Sequence, residues 1–208
     1  MMKKLLCIAG LIFFYAMTAF AGPMDLTPEH PVIFDKDKRT VSFLAEVNGK
    51  YLFQETRHFA VFADGSNGEK SVFRGFVPHH EFYEALMKIN AVPGNNMTLG
   101  NKETTRVEGQ EFAVSVTWEG AKRSYTIDEI IIESNKAPIV MKFGGNLKNA
   151  MEKHTGCLLC FDSCPVGVVS NSVYTYGAIE KRKEVTMRGN KDILPPDGTR
   201  VIITLAVK

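Results

Sequence analysis

Three stretches of this chain alternate apolar and polar residues with a period of two, and that period belongs to half-buried β-strands. Val41, Phe43, Ala45 and Val47 share one side of the first stretch. Phe112, Val114, Val116 and Trp118 do so in the second, and Val201, Ile203, Leu205 and Val207 in the last. Shorter runs read as further strands: Val32–Phe34 before a turn at Asp35–Lys38, His58–Phe62 ending at the Asp64–Gly68 loop, and Ile139–Phe143 running into Gly144-Gly145-Asn146. Asn48-Gly49 spells a hairpin turn. Glu119-Gly120 turns the second stretch back into Arg123–Ile127, an antiparallel hairpin.

Helical periodicity is confined to two places. In Pro78–Asn90, Phe82, Leu86 and Ile89 share a face, Pro78 suits the first turn, and Val92-Pro93-Gly94 stops the helix. Asn146–Lys153 is the other. No internal repeat, low-complexity tract or interdomain linker interrupts the pattern. The expected fold class is α+β: a single domain rich in antiparallel β-strands, with one or two helices and a cysteine-rich loop over residues 154–171.

The N-terminus carries a compartment signal. Lys3 and Lys4 precede the apolar run Leu5–Phe20, and Ala19-Phe20-Ala21 is a small-x-small cleavage site, the order of a secretory signal peptide over residues 1–21. The expectation is an exported protein, periplasmic or extracellular, whose domain occupies residues 22–208. Those 187 residues can bury a core without disulfide support. Without Lys3 and Lys4 the 25 basic residues fall to 23, equal to the 23 acidic ones. That neutrality, with no basic-aromatic stripe, argues against a nucleic-acid partner. No later apolar run is long enough for membrane insertion after cleavage.

Three of the four cysteines lie within eight residues, in His154-Thr-Gly-Cys157-Leu-Leu-Cys160-Phe-Asp-Ser-Cys164-Pro165. An odd number cannot pair fully, and bridging Cys157 to Cys160 closes too short a loop to stabilise much. A shared ligand or reactive thiols explain the cluster better. Cys-x2-Cys-x3-Cys-Pro is the last part of the bacterial ferredoxin run, with His154 where the first cysteine would stand. Gly156 and Gly167 on either side leave room for close backbone approach to the sulfurs.

Three chemistries remain open at Cys157, Cys160 and Cys164. An iron–sulfur cluster matches the spacing, although the second cysteine run of two-cluster ferredoxins is missing. Zinc as an alternative would make a closed Cys3His site with His154 as fourth ligand. A disulfide plus one spare thiol is the third.

Elsewhere the residues read as ordinary. His79, His80 and Glu84 could present a second metal site, since His80 and Glu84 stand one helical turn apart, but exposed His and Glu near a helix start are commonplace, and they are taken as surface residues. His58, between Arg57 and Phe59, is read as a strand residue. The Asp64–Glu69 loop lacks the calcium-loop pattern, and no nucleophile elbow, zinc-protease helix or P-loop occurs, so no enzyme is expected.

Several stretches together resemble the YdjY-domain family of exported, largely uncharacterised bacterial proteins. They are Val41–Val47, the His58–Phe62 strand with its Asp64-Gly65 turn, the helix Glu81–Leu86 leading to Pro93-Gly94, and the segment from Gly156 through Pro165 with Asn171. The resemblance implies a ferredoxin-like label, which rests on the cysteine run itself, and brings no substrate or reaction. The expected function is an exported metal or iron–sulfur protein serving electron transfer or an envelope redox protein. The alternative is a non-enzymatic envelope binding module with a structural disulfide and one spare thiol.

Overall fold

The three alternating stretches lie side by side. In the computed structural model, which describes residues 26–208, β2 (Thr40–Val47) and β5 (Glu111–Trp118) both pair antiparallel with the final strand, β12 (Arg200–Val207). The register aligns their apolar positions into rows. Phe43 stands opposite Ile203, which stands opposite Val116; Val41, Leu205 and Val114 form the next row. All six side chains are buried in one core. The signal peptide expected over residues 1–21 lies outside the described residues.

The remaining elements, in chain order, are β1 (Val32–Asp35), β3 (His58–Phe62), β4 (Ser71–Gly75), α1 (His79–Lys88), β6 (Tyr125–Thr126), α2 (Ile127–Ile130), β7 (Ile131–Glu133), β8 (Met141–Phe143), α3 (Leu147–Lys153), β9 (Cys157–Cys160), β10 (Val169–Asn171) and β11 (Met187–Gly189). The main sheet runs β2-β12-β5-β8-β10-β9-β3-β4, and β4 returns to pair with β2. Eight strands therefore close into a barrel. Closure depends on two long strands that divide one edge between partners. β2 pairs with β1 through Thr40–Phe43 and with β4 through Ala45–Val47. β5 pairs with β8 at Glu111–Phe112 and with β6 at Ser115–Val116.

The expected α+β class is overturned: the protein is a mostly β, closed eight-stranded barrel with a few short helices, not a ferredoxin-like α+β fold. The cause is the segment expected to be a cysteine-rich loop, which supplies the barrel strands β9 and β10. Leu158, Leu159, Val169, Ser170 and Asn171 are all fully buried, so no polar alternation marks them as strands. The hairpin expected at Asn48-Gly49 is absent as well. Gly49–Leu52 forms a 3-10 turn, and β2 pairs across the barrel with β4 instead of with the strand that follows it.

The two expected helices are present as α1 and α3. Phe82, Ala85 and Leu86 of α1 join the barrel core, with the Phe82 ring edge-on to Phe43 at 5.2 Å between centroids. Among the described residues no helix is long and apolar enough to cross a membrane.

Candidate metal centre

Two adjoining barrel strands, β3 and β9, build the site. Cys157 and Cys160 are three residues apart, and in a regular strand their side chains would point to opposite faces. The antiparallel pairing of β3 with β9 is irregular at this point. Cys160 stands opposite His58, Leu159 opposite Ala60, and Cys157 opposite Val61. Phe59 is thus an extra residue on β3 and Leu158 an extra residue on β9, two offset bulges that re-aim the flanking side chains. Leu158, Leu159 and Phe59 enter the main core, whereas Cys157, Cys160 and Val61 form a separate cluster with Cys164.

The nitrogen donor beside these thiols is His58. Its Nδ1 lies 3.7 Å from Cys157 Sγ and 3.9 Å from Cys160 Sγ. The three donor atoms lie within 4.8 Å of one another, and all three residues are buried. Cys164, from the loop after β9, packs against both other cysteines. All three thiols are free, and no disulfide joins them. His154 is outside this group: it caps α3 in a left-handed conformation and is exposed. The turn at Thr155-Gly156 separates it from Cys157.

The cysteine loop is fastened by buried polar side chains. Asn146 donates from Nδ2 to the carbonyls of Cys164 and Gly167, at 3.1 and 3.3 Å. Ser170 Oγ accepts from the Cys164 backbone N–H at 3.3 Å, and Asn171 Nδ2 donates to the Phe161 carbonyl at 3.1 Å. Gly167 presses against the sulfurs. A Cβ there would stand 3.1 Å from Cys160 Sγ and 3.2 Å from Cys164 Cβ. Gly156, with φ of +73°, packs on Gly65 so closely that a Cβ would meet the Gly65 Cα at 2.9 Å. The two glycines flanking the cysteines therefore serve close packing around the site.

Arg57 and Asp162 complete the surroundings. Arg57 Nη2 donates to Asp162 Oδ1 at 2.5 Å, and the Gly177 N–H donates to Asp162 Oδ2 at 2.9 Å. The Arg57 guanidinium lies over the Tyr176 ring at 4.1 Å, and Tyr176 with Val166 covers the cysteine cluster. Burial works against the Arg57 charge, but Asp162 and the nearby Cys164 and Cys160 outweigh it and raise its pKa, so Arg57 stays charged. Burial pushes the Asp162 carboxyl up to about 6, although Arg57 opposes the shift.

The electrostatics favour a neutral imidazole at His58 and, among the three thiols, the thiolate form at Cys157. Burial, and then the Arg57 charge, lower the His58 pKa to about 4, so its imidazole is neutral at pH 7 and offers a lone pair. Hydrogen bonds from Cys160 and Cys164 hold the Cys157 thiol well below its ordinary pKa, and the Asn67 amide adds a contact at 3.7 Å. Sharing with Cys157 raises the pKa of Cys160 and of Cys164 in turn. The group of His58, Cys157 and Cys160 could bind a metal ion.

A closed β-barrel with a buried His-Cys group against its wall is the class these features define. A family model for the YdjY domain matches residues 32–206, and the chain belongs to that family. The uncharacterised protein YdjY of Escherichia coli strain K12 is 50% identical over 182 residues, 88% of this chain and 81% of that protein. No solved structure matches the chain.

Proposed function

We propose that this protein is an exported, non-enzymatic carrier of one thiolate-bound metal ion, with Cys157, Cys160, Cys164 and His58 as the four ligands and zinc as the ion. The spacing of the His58, Cys157 and Cys160 donors carries this reading, and Cys164 joins them through its packing against the other two cysteines. Bonds of about 2.3 Å to sulfur and about 2.0 Å to nitrogen, arranged as a tetrahedron, set neighbouring donors roughly 3.5–3.8 Å apart. The separations of 3.7 and 3.9 Å between His58 Nδ1 and the two sulfurs suit one shared ion. Four protein ligands leave no open position, which favours holding over catalysis.

An iron–sulfur centre serving an envelope redox protein is the second reading, favoured by the Cys-x2-Cys-x3-Cys-Pro spacing alone. A cubane gives each iron its own thiolate, which spreads the sulfurs farther than donors sharing one ion. Anaerobic purification followed by zinc, iron and sulfide analysis separates the two. One zinc per chain without sulfide supports the single-ion reading; iron with matching sulfide replaces it by the cluster. A metal-free protein with a disulfide and one titratable thiol refutes both. Fractionation of cells making the full chain tests export, and a cytoplasmic location would refute it.

A further inference from the structure

We infer that His79, His80 and His154 form a second metal site, at the junction of α1 and α3, for a borderline divalent cation such as Zn2+, Ni2+ or Co2+. Three of the five histidines of the chain lie at the ends of these two helices. His79 and His80 open α1, His154 closes α3, and the two helices pack together. The His79 and His80 rings meet edge to face with centroids 6.1 Å apart.

His79 supplies the independent sign of a ligand. It is only 8% exposed, yet neither ring nitrogen has a hydrogen-bond partner. A neutral imidazole carries one N–H and one lone pair, and each left unpaired in the interior costs about 1–3 kcal/mol. A cation on the lone pair removes one of those costs. Burial, followed by the nearby His80 and His154, lowers the His79 pKa, which keeps that lone pair free at neutral pH.

The other two rings can complete the site. His154 is exposed and the His80 side chain is 45% accessible, so rotamer changes on the ps–ns scale let them swing toward a cation anchored on His79. Imidazole donors suit Zn2+, Ni2+ and Co2+. Three protein nitrogens would leave a position for water, unlike the closed set at the cysteines, so this site would exchange its ion more readily. No residue is shared between the two sites, and the proposal goes beyond the carrier reading without depending on it.

Co2+ titration of the reduced full chain tests it, because thiolate coordination gives an intense near-ultraviolet charge-transfer band and imidazole coordination does not. The expected result is two bound equivalents, only one of them producing the band. Combining His80→Ala with His154→Ala should abolish the second equivalent and leave the band intact, with each single change weakening the second equivalent by about 10-fold or more. His79→Asn should do the same, and the changes at the more accessible His80 and His154 keep the test valid if that buried change unfolds the chain. The absence of any bound equivalent besides the one that gives the band, or such an equivalent that survives the double change, overturns the proposal. Loss of the band with a histidine-dependent equivalent retained would instead refute the cysteine centre and leave this site standing.

Discussion

Two buried groups beside the thiols respond to acid in opposite senses, and removing either one should expose the other. His58 has a folded-state pKa of about 4 against an ordinary 6.5. Between those values the unfolded chain takes up the proton and the folded one does not. Stability is therefore lost as pH falls through this window, by about 3 kcal/mol for a shift of this size. Asp162 has a folded-state pKa of about 6 against an ordinary 3.8. In its window the folded chain takes up the proton first, so stability rises as pH falls, again by about 3 kcal/mol. The two nearly cancel in the intact protein. Urea denaturation of the reduced, metal-free protein between pH 6.5 and 4 should then show little change from this pair. His58→Gln should leave Asp162 unopposed and make the variant about 3 kcal/mol more stable at pH 4 than at pH 6.5, measured relative to the parent's own change. Asp162→Asn should do the reverse over the same range, on top of any uniform loss from leaving Arg57 unpaired. If His58→Gln follows the same pH course as the parent, the buried neutral imidazole is the wrong picture of this site.

Gly167→Ala should lower zinc affinity by about 10-fold or more, read by competition with a chromophoric chelator, because the new methyl meets Cys160 Sγ at 3.1 Å and a metal site tolerates ligand displacements of only about 0.5 Å. Arg57→Gln breaks a buried ion pair whose Asp162 partner is fully enclosed; chemical denaturation should show a loss of about 3–5 kcal/mol. Leu86→Ala, where α1 enters the barrel core, should cost about 2–5 kcal/mol by the same assay while leaving metal stoichiometry unchanged. His154→Ala alone should leave the charge-transfer band of the Co2+-loaded protein unaltered, whereas His58→Ala should shift it; the opposite pattern would return His154 to the cysteine centre.

The long strands and α1 were legible because each carries its period within a single segment. Val41, Phe43, Ala45 and Val47 recur at every second position, as do Val201, Ile203, Leu205 and Val207, and Phe82 and Leu86 share one helix face. Barrel closure was not legible, because it depends on β2 dividing one edge between β1 and β4, a relation between segments that no local pattern encodes. The short strands were hidden by their own burial, since Leu158-Leu159 presents no polar partner to alternate with. The site was half legible. Cysteine spacing marked the three thiols and proximity along the chain nominated His154, whereas in the fold His58 stands beside Cys157 and Cys160 across the sheet. The one clue was a histidine at the head of a strand whose remaining residues, Phe59–Phe62, are apolar.

The paired bulges explain why this chemistry can sit in a barrel wall without weakening it. A single extra residue on β9 alone would shift every later pairing by one position and turn side chains to the wrong face. The matching extra residue on β3 restores the register within three positions, so the disturbance is confined to the cysteine pair. Leu158 and Phe59, the residues displaced by the bulges, are not stranded; both lie fully buried in the main core, where Phe59 packs edge-on against Phe73 and Phe161. The barrel thus gains two apolar side chains at the position where it turns two thiols and an imidazole the other way. Rigid strands then hold His58, Cys157 and Cys160, and only Cys164 depends on a loop. The buried contacts of Asn146, Ser170 and Asn171 explain how that loop can be held with comparable firmness.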